Sequence, residues 1–588
     1  MSRKLGRLVA FLSLTALFSC STPATPGVTS VTIDGGDRNV ELGESLTLTA
    51  TVEGIGGGTE VIWTSSDESV ASVDDLGVVE TFAVGTSRIT ATSSEDADKS
   101  DTITVTVGAS DAVKVAIVGG DRTLGEGTSI TLQVDVETGG VIDDGVTWSS
   151  SETDVAVIDA DGVLDAIAAG TTTITAASVA DPSKDDSIVV TVVEPGSHVW
   201  TRQFGTSSDD RATGVAADGN GNIYVAGGTS GDLGAVGSAG SDAFVRAYDE
   251  NGGHRWTWQS DRRGDDEATG IATDAAGNVY VVGTRPGRMG TAETPNTDGF
   301  LQSLDSEGSP RWFRGIGVVA VDDYVTKVAV DAAGNIYVVG HTDGTLAGSS
   351  AGHTDAFVRA YDSEGSLRWT RQFGTDAIDH ANGVATDGEG NVYIAGSTGG
   401  SLEAPGAGNW DAFVRSYDGN GALRWTRQFG TSEADQALGI GADEERNVYV
   451  VGRTWGPLEG NGVGFMDGFV RAYDGRGDHR WTRQFGAADV AVYDSSIDTN
   501  GNVYVAGFAN GSFAPTYVGH FDAIVRSYDS NGDHRWSRQF GSYDQDEAHG
   551  ISVEAGTVYV AGWTHGDLEG ECCGSWRPSD AFVRALRP

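Results

Sequence analysis

A tryptophan-led phrase, W-[TS]-R-Q-F-G with variants, recurs at Trp200, Trp256, Trp312, Trp369, Trp425, Trp481 and Trp536, so that successive copies stand 55 to 57 residues apart. A period that regular demands a repeat architecture, in which each unit buries its apolar face against its neighbours. Between the tryptophans each repeat reads D-x-A-x-G-[IV]-A-x-D-x-x-G-N-[IV]-Y-[VI]-[AV]-G, then a variable Gly-rich loop, then D-A-F-V-R-x-Y-D-x-x-G. Short Val, Ile, Tyr and Ala runs split by Gly, Asn and Asp are strands separated by tight turns. Four strands per repeat, A to D, in about 50 residues suit one blade of a β-propeller. Tyr224, Tyr280, Tyr337, Tyr393, Tyr449, Tyr504 and Tyr559 mark strand B seven times.

The two ends of this region decide how the ring closes. Residues 198–205 read as a strand D with no A, B or C before it, and 580–586 as a strand C with no D after it. Set side by side they complete blade seven from both termini and remove two open sheet edges that would template aggregation. The fold class is therefore all-β, with a seven-bladed propeller of four-stranded blades over 198–588. The D-A-F-V and G-N-V-Y-V-x-G elements resemble the seven-bladed beta-propeller (SBBP) repeat family of bacterial surface and secreted proteins. That resemblance implies a fold and no particular activity, since propellers host enzymes, lectins and scaffolds alike.

Upstream, 28–193 repeats itself at an offset of 85: Trp63 maps to Trp148, Ala71 to Ala156, Gly77 to Gly162 and Gly85 to Gly170. The segments VIWTSSDESVASVDDLGVV and VTWSSSETDVAVIDADGVL share one pattern, as do AVGTSRITAT and AAGTTTITAA. Both resemble the bacterial Ig-like modules of surface adhesins. Two Ig-like β-sandwiches are expected, at 28–108 and 112–193, each with a Trp anchoring its core and Gly at its turns.

Charge separates the two parts. The whole chain has a formal net charge of −46, and 28–193 alone carries 30 acidic against six basic side chains. Modules so charged repel one another and suit an extended stalk. Phosphate binding needs clustered Lys and Arg, so no nucleic-acid partner is expected. Asp74-Asp75 and Asp143-Asp144 could hold Ca²⁺ between modules, yet neither has the spacing of a dedicated loop. No other cofactor and no metal site is expected.

Residues 1–19 read as an export signal. Arg3, Lys4 and Arg7 precede a mostly apolar run, Leu8 to Phe18, which is too short to span a bilayer as a helix. Leu17-Phe18-Ser19-Cys20 resembles a bacterial lipoprotein lipobox, which implies cleavage before Cys20, lipidation of Cys20, and a membrane partner reached through that lipid. Residues 20–27 are then a tether, and the address is the bacterial cell envelope, at the outer membrane or cell surface.

Recurrent residues are read first as structure. Asp242, Asp298, Asp355, Asp411, Asp467, Asp522 and Asp580 all open strand C, where Asp accepts backbone N–H groups. Arg246, Arg359, Arg415, Arg471, Arg526 and Arg584, four residues on, are expected to pair with them; blade two has Gln302 instead. Function is sought in what varies, and the loops between B and C and between D and A emerge on one face. Trp410, Trp455, Phe465, Tyr517, Phe521, Trp563 and Trp576 fall in or beside those loops of blades four to seven. Aromatics beside Asp and Glu suit sugar rings; the plainer account is that they pack their own loops. Adjacent Cys572 and Cys573 form a vicinal disulfide, hold a soft metal with His565, or stay as thiols. Gly348 to Gly352 matches G-x-S-x-G but lacks the strand–turn–helix elbow that its chemistry needs. The expected function is non-catalytic binding or adhesion to a glycan or to a surface or extracellular protein. A propeller carbohydrate-active enzyme and a passive structural component are the alternatives.

Overall fold

The computed structural model describes residues 27–55, 58–108, 112–138, 145–179, 182–234, 240–260, 264–286, 296–318, 321–348, 350–403, 406–459, 464–486, 489–514, 519–568 and 578–588. Every regular element among them is a β-strand. The chain divides between Val192 and Val193 into two compact units.

In the upstream unit, Arg38–Glu41, Ser100–Gly108, Gly85–Ser93 and Val61–Ser65 make a four-stranded sheet, and Ser45–Thr47, Val78–Thr81 and Ala71–Val73 a three-stranded one. The same two sheets recur at Arg122–Gly125, Asp185–Val193, Gly170–Ser178 and Val146–Ser150, and at Ser129–Thr131, Val163–Ala166 and Ala156–Ile158. Alternation of burial along Gly85–Ser93 and Ser100–Gly108 puts Ile89, Ala91, Ile103 and Val105 into one core with Trp63 and Val79. Gly77 has φ of 77°, and a Cβ there would meet the Trp63 ring at 3.2 Å. The paired Trp and Gly of the sequence pattern are thus one packing unit.

The downstream unit holds seven four-stranded antiparallel sheets. In blade one, strand A is Asp210–Ala217, B is Ile223–Thr229, C is Asp242–Tyr248 and D is His254–Gln259. In blade seven, Asp546–Glu554, Thr557–Thr564 and Asp580–Leu586 are completed by His198–Phe204, with Thr201 opposite Arg584 and Phe204 opposite Ala581. Each strand A touches the next around the ring, and Asp546–Glu554 touches Asp210–Ala217, so the ring is closed.

Five of the six letters of the repeated phrase have a mechanical task. The Trp indole N–H donates to a carbonyl in the C–D turn of the next blade, as in Trp369 to Gly419 at 3.1 Å, and Arg371 donates to Gly421 in the same turn at 2.8 Å. Gln372 pins its own B–C loop by donating to the Gly344 carbonyl and accepting from the Leu346 N–H. Phe373 packs under the guanidinium of Arg415 in the next blade, 4.4 Å from its ring centre. The closing Gly374 lies where a Cβ would run into the carboxylates of Asp355 and Asp379.

The expected pairing of the strand C Asp with the Arg four residues on is corrected by this geometry. Residues four apart on a strand are about 13 Å apart, beyond reach of a direct pair. Arg246, Arg415, Arg471, Arg526 and Arg584 instead lie over Phe204, Phe373, Phe429, Phe485 and Phe540. The strand C Asp takes the Gln amide: Gln372 donates to Asp355 at 2.8 Å and Gln428 to Asp411 at 2.7 Å. Backbone N–H groups also reach it, as the reading of these Asp as structural requires; Ala351 donates to Asp355 at 2.9 Å. Between blades one and two the Phe and the Arg are both absent, replaced by Ser260 and Gln302, and a cavity of about 160 Å³ opens there.

Candidate functional site

Variation between blades is not confined to the loops. Three positions inside the repeated pattern vary and lie together at one end of every blade. The first is the opening x of D-x-A-x-G on strand A, and the second is the residue that follows the strand B glycine. They face each other across the ladder: Arg211 with Gly228, Tyr324 with His341, His380 with Ser397, Gln436 with Arg453, Ala491 with Phe508, and Glu547 with Trp563. The third directly precedes strand C. Trp410 and Phe521 occupy it in blades four and six, bridged to Ala434 and Gln545 of the following blade.

In blades three and four these positions build a ladder of rings. Tyr324 stacks on His341 at 4.9 Å, His341 on His380 at 4.1 Å, and His380 meets Trp410 at 5.7 Å. Burial, helped by the neighbouring His380, pushes the His341 imidazole down to about 3, and burial lowers His380 as well. Both rings are neutral at pH 7 and behave as flat, weakly polar surfaces.

A second belt runs through blades five to seven. Met466, Ala491 and Phe508 form a small buried cluster with Trp455, Tyr493 and Phe521 packed on it. Arg453 lies 5.2 Å over Trp455. Tyr493 stacks on His549 at 4.4 Å, His549 on Trp563 at 6.4 Å, and Arg211 covers Trp563 at 4.9 Å.

Tyr493 and His549 stand at β-bulges of strand A. At the same bulge Thr213, Thr269, Thr326 and Asn382 donate to backbone carbonyls of the next blade. A position that staples blades together elsewhere is thus given over to aromatic rings here. Glu547 joins them: its Oε2 accepts from Tyr493 at 3.3 Å and lies 2.9 Å from His549 Nε2. That nitrogen also lies 3.2 Å from Trp563 Nε1, so it donates to the carboxylate or accepts from the indole, one at a time. Burial and the Glu547 charge hold the Tyr493 hydroxyl far above the usual phenol range.

The aromatics expected from sequence distribute as follows. Trp410, Trp455 and Phe521 are half-buried at the edge of this face, Trp563 is buried on strand B, and Phe465 is exposed. Trp455, Phe521 and Trp563 come together in the second belt, whereas Trp410 belongs to the first. Cys20, Tyr517, Cys572, Cys573, Trp576 and the Asp143-Asp144 pair lie outside the described residues. Asp74 is engaged in its own turn, accepting from the N–H groups of Leu76 and Val78. Among the described residues no group of three or more His, Cys, Asp and Glu is arranged to hold a metal. Ser350 donates to the Gly352 carbonyl within its loop. Tyr324, His341, His380, Tyr493, Glu547 and His549 are absent from the loop-based expectation because they sit in strands; the x positions of the motif were the signal for them.

The bacterial Ig-like domain (group 2) family matches residues 27–105 and 112–189, and the beta-propeller repeat family (SBBP) matches 199–234, 311–346, 368–403, 424–459 and 480–514. The chain carries two bacterial Ig-like domains followed by SBBP beta-propeller repeats. Among curated proteins it is 26% identical over 289 residues to the regulatory protein FlaEY of Caulobacter vibrioides, covering 42% of this chain and 30% of that protein. It is 32% identical over 171 residues to ice-binding protein 1 of Shewanella frigidimarina, covering 28% of this chain and 19% of that one. The chain thus spans less than a third of the length of these relatives. Among solved structures it is similar to the WD40 beta-propeller domain of Doa1, at 12% identity and a TM-score of 0.38, covering 66% of this chain and 96% of that one.

Proposed function

We propose that this SBBP-repeat protein is an exported, lipid-anchored surface protein. In this reading the lipid on Cys20 holds the membrane, the acidic Ig-like modules hold the propeller away from it, and the propeller recognises a glycan without turning it over. One observation carries the recognition: the positions that vary from blade to blade inside an otherwise strict motif gather at one end of the propeller, and in blades three to seven about half of them carry an aromatic ring or an imidazole. A rigid scaffold with concentrated variation on one face is how binding sites are built on repeat folds. The test is a glycan-array screen of residues 28–588 with and without Ca²⁺, beside a Trp455→Ala/Trp563→Ala variant. Binding that the variant loses supports the reading; silence across the array favours a protein partner or a structural role.

A second reading, turnover of a carbohydrate, draws on the Glu547–His549 contact at 2.9 Å with Tyr493 beside it. Half-buried carboxylate, imidazole and phenol within hydrogen-bond reach make a group able to accept and return a proton. Product analysis on any glycan that binds separates the two: product lost in His549→Ala means catalysis, and bound glycan recovered intact means recognition alone.

A further inference from the structure

Resting on the reading of the propeller as a glycan binder, we propose that the cleft between blades six and seven is a subsite for one neutral or amino sugar ring. The cleft holds about 270 Å³ and is lined by His520, Phe521, Asp544, Gln545 and His565. Phe521 supplies an apolar ring face, Asp544 and Gln545 supply planar polar forks, and the two imidazoles supply further donors or acceptors. A pyranose has the matching chemistry, with C–H groups exposed on one face of the ring and hydroxyls around its rim. A fork of two oxygens, or of oxygen and nitrogen, meets two adjacent hydroxyls at once.

The lining is preorganised by backbone bonds between three segments. Asp546 N–H donates to the Phe521 carbonyl at 2.7 Å, and His565 N–H donates to the Gln545 carbonyl at 3.1 Å. The Phe521 ring is held edge-on by Phe508 at 5.1 Å, and the His565 ring by Trp563 at 5.2 Å. A site fixed in this way loses little freedom on binding. Two of the corresponding bridges lack the polar fork, Thr354 facing Ile378 and Trp410 facing Ala434, and the third, Met466 facing Asp489, has the fork without an aromatic ring.

Charge selects the sugar class. Residues 194–588 carry 54 acidic side chains against 29 basic ones, and among the described residues no Lys or Arg lines the cleft. Uronates and sulfated sugars are therefore disfavoured, and a hydroxyl-rich neutral or cationic ring is favoured.

The test uses the full chain and saturation-transfer NMR with three probes: methyl glycosides of neutral hexoses, of 2-amino sugars, and of a hexuronic acid. Saturation of one ring face in a neutral or amino sugar is expected, with little transfer to the uronate. Asp544→Asn preserves shape and should weaken that binding about tenfold or more without moving the melting midpoint; Gln545→Ala gives an independent second reading. Binding of the uronate as well as the others, silence of all three probes, or equal affinity in both variants each overturns the subsite. If the array on the same chain is positive while the cleft variants change nothing, the subsite fails and glycan recognition by the propeller stands.

Discussion

Lys327 Nζ and Asp494 Oδ2 lie 3.8 Å apart across the centre of the propeller, with both side chains about one-fifth exposed. The corresponding strand A position is glycine in the other five blades, at Gly214, Gly270, Gly383, Gly439 and Gly550. Gly214, Lys327, Gly383, Gly439 and Asp494 line a central cavity of about 140 Å³ together with Val215, Ile271, Val328, Val384, Ile440, Ser495 and Ile551. Lys327 is also the only lysine after residue 193. The two departures from glycine thus carry opposite charges and meet.

Removing one partner of a mostly buried pair leaves the other uncompensated. Lys327→Ala and Asp494→Ala should each cost about 1–2 kcal/mol, a range set below that of fully buried pairs because water still reaches both groups. The double variant should cost less than the two single costs added together. A urea double-mutant cycle measures the coupling, and additive costs would show that the contact holds nothing.

Trp481 and Trp536 occupy the same repeat position and differ in one bond. The Trp481 indole donates to the Ser530 carbonyl at 3.1 Å in the C–D turn of blade six. Blade seven takes its C and D strands from opposite ends of the region, so it has no such turn, and buried Trp536 Nε1 finds no partner among the described residues. Arg538 beside it donates to the Gly196 carbonyl at 3.1 Å instead. Trp481→Phe should therefore cost about 1 kcal/mol more than Trp536→Phe, one hydrogen bond's worth, read from urea midpoints. Equal costs would mean that the repeated indole bond contributes nothing beyond packing.

Closure by the chain ends makes a different demand. His198–Phe204 supplies the outer strand of blade seven, and Gln203 donates to Asp580 at 2.9 Å and to the Gly566 carbonyl at 2.8 Å. Beginning the chain at residue 210 strips this strand and leaves Asp580–Leu586 as an open edge. Such a protein should melt well below the full chain and scatter light as it does so. A monomer with an unchanged melting midpoint would show that the pairing is dispensable.

What was legible in the sequence follows from what each residue has to satisfy. The Trp, Tyr and Gly of the repeat answer the same local demand seven times, so their spacing alone reveals blades, turns and closure. Tyr393 shows this: its hydroxyl donates to Asp387 of its own A–B turn at 2.7 Å, a contact fixed by six residues of chain. The face is harder to read because its contacts join different blades. Tyr493 and His549 are 56 positions apart, and only the bulge register makes them stack. Attention to loops finds Trp455 and Phe521 and passes over Glu547, which looks like one more acid in an acidic chain. The Arg of strand C misleads for a related reason: its partner is a Phe of the preceding blade, and strand geometry separates it from the Asp it was expected to meet.

The acid pairs at the blade junctions predict an uncommon pH dependence. Asp522 and Asp546 close on Gly541 from two sides, and Asp546 is fully buried. Burial raises Asp546 to about 7, against the hydrogen bonds from Thr564 and Ser542 that lower it, and the Asp522 charge adds to the rise. Burial also raises Asp210, Asp323, Asp379 and Asp435 at the equivalent positions. A group whose pKa is higher folded than unfolded binds its proton more tightly in the folded state. Its stabilising contribution is therefore complete below the ordinary Asp value of 3.8 and is lost as pH rises through about 7. The propeller should gain stability as pH falls from 8 towards 5, where many proteins begin to lose it. Asp546→Asn removes the ionisation and keeps the shape, so it should be more stable than the parent at pH 8, by on the order of 2 kcal/mol, with the difference shrinking towards pH 5. Urea unfolding of both proteins at pH 5, 6.5 and 8 measures this. A difference independent of pH would show that Asp546 titrates like an ordinary surface carboxylate and that the junction tolerates its charge.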